Sequence, residues 1–155
     1  MTPTVREEIR QAKSMRSLEQ EAYLNLVRTA AVLNDRLERV LKPVGVTLAQ
    51  YNVLRILRGA DPDGLCRNEV RDRMVTRMPD MTRLLDRMKD AGLVRRQRED
   101  ADRRMVRTVV TAKGRRVLEQ IDDAVHAEHL ERLGHLSRSE LRALINTLER
   151  LRVDS

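Results

Sequence analysis

Residues 67–110 decide the fold, and they read RNEVRDRMVTRMPDMTRLLDRMKDAGLVRRQREDADRRMVRTVV. Apolar residues in the first half recur every three or four positions, which is the period of an amphipathic helix. This spacing predicts one short helix over about residues 67–74 and a second over about 78–91, with Pro79 in the first turn of the second helix. Two helices separated by three or four residues have the spacing of a helix-turn-helix motif.

The second half of this stretch changes to a period of two immediately after Gly92. The alternation predicts one short strand over residues 93–98 and another over 105–110, joined by the charged turn 99–104. A hairpin that directly follows a helix-turn-helix is a wing. The sequence therefore predicts a winged helix-turn-helix, a mainly α fold with a small β wing.

Further helices are predicted on both sides of the motif. Residues 17–41 carry one apolar seam at alternating spacings of three and four, and a shorter helix follows over residues 48–58. Downstream, the pattern predicts a helix over 111–134. Ser-Arg-Ser-Glu at 137–140 then forms a capping box for a last, leucine-rich helix.

The charge of the chain favours a polyanionic partner. The net charge is +7, and arginine greatly outnumbers lysine. Residues 67–107 contain thirteen Arg and Lys against eight Asp and Glu, so an excess of five charges lies in the predicted motif. The planar guanidinium group suits phosphate oxygens and guanine edges. A solvated basic surface in a chain with biased codon usage is the alternative explanation.

The remaining composition narrows the class of protein. Two tyrosines and no Trp or Phe leave almost no rings on which to stack unpaired bases, which favours duplex DNA over RNA or single strands. A single cysteine excludes an internal disulfide framework and fits a reducing compartment. No apolar run approaches the roughly 18 residues that a membrane helix needs. We therefore expect a cytoplasmic protein.

The second helix of the motif is the predicted recognition helix. Helix-turn-helix proteins read base edges in the major groove with side chains near the N-terminus of this helix. Arginine can bind the edge of guanine. Thr82 can contact a phosphate or the methyl group of thymine. Asp80 has two possible roles, because a carboxylate can accept a hydrogen bond from cytosine or can cap the helix. The predicted DNA-binding residues of this helix are Arg77, Pro79, Asp80, Thr82, Arg83 and Arg87.

The predicted wing supplies a second DNA-binding element. Arginine at a hairpin tip can enter a narrow minor groove, where negative potential is concentrated. A hairpin made soluble by its arginines is the alternative, but the preceding helix-turn-helix weakens it. The predicted wing residues are Arg98, Asp102, Arg103 and Arg104.

One motif in the wing carries a family resemblance. Asp102-Arg103-Arg104 is followed six residues on by Val110-Thr111 and then by Gly114. This arrangement resembles the wing pattern D-x-R-x5-L-T-x-x-G of the MarR family of bacterial regulators, with Val110 in place of the usual Leu. By this resemblance, Arg103 or Arg104 probes the minor groove and Asp102 holds the arginines of the wing in place.

Other segments resemble the same family in the same order. Residues 82–88 (TRLLDRM), which lead into 92–96 (GLVRR), are similar to the recognition helix and first wing strand. Residues 48–54 (LAQYNVL) are similar to the second helix of the family. The resemblance extends over about residues 18–151, so the chain is identified as a member of the MarR family.

The resemblance implies an obligate homodimer on a pseudo-palindromic operator, with half-sites about 10 bp apart. The chain would form one domain over 1–155, with dimerisation helices at 17–45 and 112–155 and a DNA-binding lobe at 46–111. The long, leucine-rich seams suit dimerisation, although part of each seam can instead pack within one chain. The predicted dimerisation residues are Leu26, Leu33, Leu37, Leu144, Leu148 and Leu151.

The resemblance also implies a ligand-responsive regulator. Many members of the family bind small aromatic or anionic molecules in a cleft between the dimerisation helices and the DNA-binding lobe. We therefore expect a repressor that a small molecule releases from its operator by population shift. Activation through the same fold is an alternative.

A cysteine and three histidines have both plain and functional interpretations. Cys66 is predicted at the start of a helix beside Arg67, a setting that favours a reactive thiol and makes oxidant sensing possible. However, the peroxide-sensing members of the family carry their cysteine on the first helix, so a cap or a small buried filler is the alternative. His126 and His129 are spaced to share an ion, with His135 nearby, but surface histidines are the simpler interpretation.

Two other classes of function compete with a DNA-binding regulator. A protein-interaction module would use the helical seams without DNA, but the arginine-rich wing argues against it. An enzyme would need a nucleophile–base pair, a phosphate-binding glycine loop or a metal-ligand set, and the sequence has no such pattern. We expect no catalytic residue, no cofactor and no metal.

Overall fold

The computed structural model describes residues 3–98 and 106–153. Within these residues it is mainly helical, with one small antiparallel sheet, as the sequence predicts. No helix in these two ranges is both long and apolar enough to cross a membrane. The elements in chain order are α1 (Val5–Glu8), α2 (Leu18–Leu41), a 3₁₀ turn (Lys42–Val44), α3 (Leu48–Gly59), β1 (Leu65–Cys66), α4 (Arg67–Asp72), α5 (Met81–Asp90), β2 (Val94–Arg98), β3 (Val106–Val110), α6 (Ala112–Leu133) and α7 (Arg138–Arg150).

Side-chain caps begin the long helices where the sequence predicts them. The Ser17 side chain accepts a hydrogen bond from the backbone N–H of Gln20, and α2 starts at the next residue. The predicted capping box of Ser137 and Glu140 begins α7. Such caps satisfy backbone N–H groups that have no partner within the helix. These helix starts are confirmed.

The turn between α4 and α5 is longer than predicted. Helix α4 ends at Asp72 rather than near Met74, and α5 begins at Met81 rather than near Met78, so residues 73–80 separate them. The predicted place of Pro79 in the first turn of α5 is wrong. Asp80 has non-helical backbone angles (φ −117°, ψ 69°) and caps the helix, which leaves Pro79 outside it.

The sheet contains the predicted hairpin and one strand that was not predicted. Strands β2 and β3 pair antiparallel, with Val94 opposite Val110 and Arg98 opposite Val106. Strand β1 pairs with the other edge of β3, so the order is β1-β3-β2. Because β1 has only two residues, it is too short to show an alternating pattern.

One hydrophobic core holds α3, α5, α6 and the sheet together. Leu54 and Leu57 of α3 pack there with Met88 of α5 and Leu118 of α6, and these four side chains are fully buried. Helices α2 and α6 also lie side by side beyond this core. Helices α3 and α6 each contact both α2 and β3, so together they connect the sheet to the long helix α2.

The junction between the hairpin and α6 explains the Val-Thr-x-x-Gly part of the wing motif. Thr111 caps α6 by accepting the N–H of Gly114, while its hydroxyl donates to the carbonyl of Gly92 at 2.6 Å. A Cβ atom at position 114 would lie 2.8 Å from Val110 Cγ2 and closer still to the carbonyl oxygen of Leu93. Glycine is therefore required sterically, and threonine ties the helix to the end of α5.

Ion pairs strengthen the attachment of α6 to α3. Both terminal nitrogens of Arg58 donate to the Asp122 carboxylate, at 2.6 and 3.1 Å. These hydrogen bonds, which stabilise the charged form, hold the pKa of Asp122 below its ordinary value. Arg115 of α6 pairs in the same way with Asp61, at 2.5 Å, in the turn after α3.

Substitution of Gly114 tests the packing of this junction. We expect Gly114→Ala to lower the free energy of unfolding by about 1–3 kcal/mol, because the added methyl group overlaps backbone and a buried side chain. Gly59→Ala is the matched control, since nothing lies within 4 Å of a Cβ atom there. Urea unfolding followed by circular dichroism measures both. Equal midpoints for the two variants would contradict the packing.

The Asp122–Arg58 ion pair predicts how the stability of the fold depends on pH. A carboxylate whose pKa is depressed by folding stabilises the fold above its unfolded-state pKa and loses this effect as pH falls through the folded-state pKa. Asp122→Asn should therefore lower the urea midpoint at pH 7, and the difference from the wild type should shrink as pH falls below about 4 and be lost only below the depressed folded-state pKa of Asp122. The effect is small, because both side chains are more than one-third exposed and solvent screens them.

The neighbouring Asp123→Asn, at an exposed position of the same helix, is the control. It removes the same charge without breaking the Arg58 contact. If both variants shift the midpoint equally at pH 7, or if the Asp122→Asn difference does not shrink as pH falls below about 4, the pair does not contribute as described.

Candidate nucleic-acid interface

Helix α5 has two chemically distinct faces. One face is buried in the core and consists of Met81, Leu84, Leu85 and Met88. Because a helix repeats every 3.6 residues, burial of this face turns Thr82, Arg83 and Arg87 outward, and all three are exposed. These are three of the predicted recognition-helix residues.

The structure places Asp80 in one of its two predicted roles. Its Oδ1 atom accepts the backbone N–H of Arg83 at 3.0 Å, so Asp80 is the N-cap of α5. A carboxylate at this end also interacts favourably with the helix dipole. Pro79 and Arg77 lie before the cap, exposed in the turn that follows α4.

Two side chains that are not among the predicted site residues fix the geometry of the helix-turn-helix. Asn52 of α3 accepts the backbone N–H of Val75, at 2.9 Å, and so fixes the turn between α4 and α5. Arg67, the first residue of α4, donates from Nη1 to Thr82 Oγ1 at 3.0 Å. Both contacts join residues that are 15 or more positions apart, so no local sequence pattern predicts them.

Some arginines near α5 have carboxylate partners. Arg96 of β2 pairs with Asp86 of α5, which ties the wing strand to the helix. Arg107 of β3 lies 3.8 Å from Glu69 and donates to the carbonyl of Gly64 at 3.2 Å. These two arginines therefore contribute to the positions of the sheet and helices.

Other arginines of this region have no such partner. Within residues 3–98 and 106–153, no carboxylate lies within ion-pair distance of Arg77, Arg83, Arg87 or Arg98. All four are exposed. An arginine that is not neutralised by the protein retains its full charge for an anionic partner.

The predicted wing is described only in part. Arg98 is the last residue of β2 and is exposed. Asp102, Arg103 and Arg104 lie outside the described residues, so their predicted roles stay predictions.

Cys66 lies at the N-cap of α4, one of its predicted positions, and is half-buried. Its backbone N–H donates to Glu69 Oε2 at 2.8 Å. This hydrogen bond, together with one to the cysteine side chain, lowers the pKa of Glu69. Cys66 thus has a structural position at the start of α4, and its predicted oxidant sensing stays a prediction.

The three histidines lie away from this interface. His126 and His129 are exposed on α6, and His135 is exposed in the turn before α7. The part of the chain that the structure describes contains no group of three or more His, Cys, Asp or Glu residues that could hold a metal ion.

The predicted dimerisation residues have different environments in the single chain. Leu37 packs against the hydrophobic core, and Leu33 and Leu148 are half-buried. Leu26 and Leu144 are exposed, and Leu151 is 64% exposed just after α7. One part of the seam therefore packs within the chain, as the alternative interpretation predicts, while the rest remains exposed.

Comparison with known proteins yields one consistent result. The MarR family model matches residues 44–105. The chain is 29% identical to an HTH-type transcriptional repressor of Mycobacterium tuberculosis, over 83% of this chain and 91% of that protein. It is similar in structure to the transcriptional repressor CouR bound to a 23-mer DNA duplex, with 28% identity, a TM-score of 0.76 and coverage of 92% and 100%.

The crystal structure of a MarR transcription factor from Planctomyces limnophilus is also similar. It is 38% identical, with a TM-score of 0.65, and the match covers 88% of this chain and 98% of that one. This identity extends over both the helix-turn-helix region and the long helices that flank it. The chain belongs to the MarR family of transcription regulators.

Proposed function

We propose that this regulator binds double-stranded DNA sequence-specifically as a homodimer, and that it is a repressor released from its operator by a small molecule. The observation that carries the proposal is the outward face of α5. Thr82, Arg83 and Arg87 project from a helix whose opposite face is buried, beside a strand that ends in Arg98. This is the arrangement with which a helix enters the major groove.

The distribution of ion pairs supports the same assignment. Arg96 is neutralised by Asp86, whereas Arg77, Arg83 and Arg87 have no carboxylate partner among the described residues. Phosphate contacts by such cations release condensed counterions, and this supplies much of the affinity of DNA-binding proteins. In this proposal, Arg83 and Arg87 contact DNA from α5, and Pro79 and Asp80 shape the start of the helix. Asp102, Arg103 and Arg104 extend the contact through the wing.

The proposed homodimer accounts for the exposed apolar residues of the terminal helices. Helix α7 has no buried residue, yet its leucine-rich stripe is continued by Leu151. Tyr23 and Val27 of α2 and Leu130 of α6 are also more than half exposed. Large apolar side chains exposed in this number on the terminal helices are typical of an interaction surface. A second copy that covers it would use 17–45 and 112–155 for dimerisation and leave 46–111 for DNA.

The junction of α2 with the DNA-binding lobe is a suitable place for a ligand. A surface cavity of about 590 Å³ lies there, between the C-terminal part of α2 and the start of α3. Its lining includes Arg39 and Lys42, with Asp35 and Thr47 nearby. A ligand that binds one relative orientation of the lobe more tightly would shift the dimer toward it and change the distance between the recognition helices.

DNA binding is tested by fluorescence anisotropy with the DNA upstream of its own gene and a scrambled duplex, over a series of salt concentrations. We expect tighter binding to the upstream duplex and a logarithmic affinity that falls linearly with the logarithm of salt concentration. Arg83→Gln should cost about 1–3 kcal/mol and relax sequence preference. Arg98→Gln should weaken binding to all duplexes and reduce the salt slope by about one.

Arg16→Gln is the control for the loss of one exposed arginine, because Arg16 lies before α2, outside both the DNA-binding lobe and the proposed dimerisation helices. It should leave affinity and salt slope unchanged. Weak binding that is equal on every duplex and insensitive to salt would favour a protein-interaction module and contradict the proposal.

Dimerisation is tested with an aspartate in the apolar stripe of α7. Leu144 is 40% exposed in the single chain, so Leu144→Asp should leave the fold of the lobe intact but bury an unpaired charge in a dimer. We expect sedimentation to show a monomer and anisotropy to show loss of operator binding. Asn146→Asp, on the polar side of the same helix, is the control. A monomeric Leu144→Asp protein with full operator affinity would exclude the dimer model.

A further inference from the structure

The contact between Arg67 and Thr82 joins the two helices of the motif at the proposed DNA-binding surface. Arg67 is the first residue of α4, and Thr82 lies in the first turn of α5. Nη1 of Arg67 and Oγ1 of Thr82 are 3.0 Å apart, and both side chains are exposed. Arg67 has no carboxylate partner within the described ranges, so the threonine hydroxyl is the group that orients it.

The chemistry of this contact fixes the direction of the hydroxyl. A guanidinium group only donates hydrogen bonds, so the Thr82 oxygen must be the acceptor. Its own hydrogen then has to point away from Arg67. Because the donor is charged, it also polarises the hydroxyl and makes it a better donor in turn.

The Thr82 hydrogen has no acceptor among the described residues. Other threonine hydroxyls of this chain donate to backbone carbonyls, namely Thr147 to Ala143 at 2.8 Å and Thr111 to Gly92 at 2.6 Å. Thr82 makes no such bond within residues 3–98 and 106–153, and the contact with Arg67 is its side-chain hydrogen bond there. The donor is therefore available at the surface of α5.

We propose that Arg67 is a positioning residue, which makes Thr82 a hydrogen-bond donor toward DNA. This inference rests on the proposed function. The group that Thr82 recognises is a hydrogen-bond acceptor: N7 of a purine, O6 of guanine or O4 of thymine in the major groove, or a phosphate oxygen. The amino groups of cytosine and adenine are disfavoured at this position, since the positive charge of Arg67 lies beside the remaining lone pair of Thr82.

The neighbouring ion pair explains why Arg67, rather than Arg96, has this role. Both arginines line the same surface cleft beside Thr82. Arg96 is paired with Asp86, which offsets much of its charge. Arg67 is thus the cation that acts on the Thr82 oxygen.

The test compares two arginines of α4. Arg67→Met removes the donor and the charge but keeps a side chain of similar length. Arg71→Met is the matched control: it removes one exposed charge from the same helix, but Arg71 contacts the adjacent Asp72 and not α5. Thr82→Val and the double variant Arg67→Met/Thr82→Val complete a cycle that measures the coupling between the two positions. Thermal unfolding establishes that all variants fold.

The probe is a duplex that the wild type selects from a library with a randomised centre, together with every single base-pair substitution in one half-site. We expect Arg67→Met and Thr82→Val each to lose about tenfold in discrimination at the same base pair, and the double variant to lose no more than about twofold further. Arg71→Met should weaken binding to all duplexes equally. This result supports the proposal with a base as the acceptor.

The other outcomes distinguish the remaining possibilities. A phosphate is the acceptor if Arg67→Met loses the same affinity on all duplexes. This loss must exceed that of Arg71→Met and must not add to that of Thr82→Val. Such a result also supports the proposal. The proposal is overturned if Arg67→Met behaves as Arg71→Met does, or if its effect adds fully to that of Thr82→Val. If the wild type selects no duplex at all, the proposed function itself fails, and this inference fails with it.

Discussion

Burial of one face of α5 is the constraint on which the rest of the interface depends. Met81 and Met88 are anchored in the core that α3, α6 and the sheet share, so the helix can neither rotate nor slide without exposing them. The opposite face is thereby fixed, and with it the direction of Thr82 and Arg83. The cap at Asp80 then determines where the helix begins. The positions of exposed side chains are in this way determined by the buried side chains of the same helix.

Ion pairing divides the arginines of this region by role. Arg96, bound by Asp86, connects the hairpin to α5, and Arg107 connects β3 to α4 and to the turn before β1. Arg83 and Arg87 have no carboxylate partner among the described residues and project from the outward face of α5. A basic composition alone does not make this distinction, because it depends on which carboxylates the fold brings near each guanidinium group.

The sequence predicted the elements that local patterns determine. The long helices, the capping box at Ser137 and the β2–β3 hairpin each follow from periodicity or capping within a few residues. Strand β1 was missed because two residues carry no period, and its pairing with β3 is set by tertiary structure. The start of α5 was misplaced because a proline suits the first turn of a helix, whereas the Asp80 cap begins this helix later. The contact from Arg67 to Thr82 joins two separate helices, which no local pattern reveals.

Guanine N7 methylation protection on the selected duplex tests the central claim most directly, because N7 lies in the major groove that α5 is proposed to enter. The account predicts two protected clusters about 10 bp apart, one for each copy of α5 in a symmetric dimer. It also predicts that Arg83→Gln removes protection within both clusters. A single cluster, or binding that protects no guanine N7, would contradict the account, because α5 would then not be the element that reads the DNA.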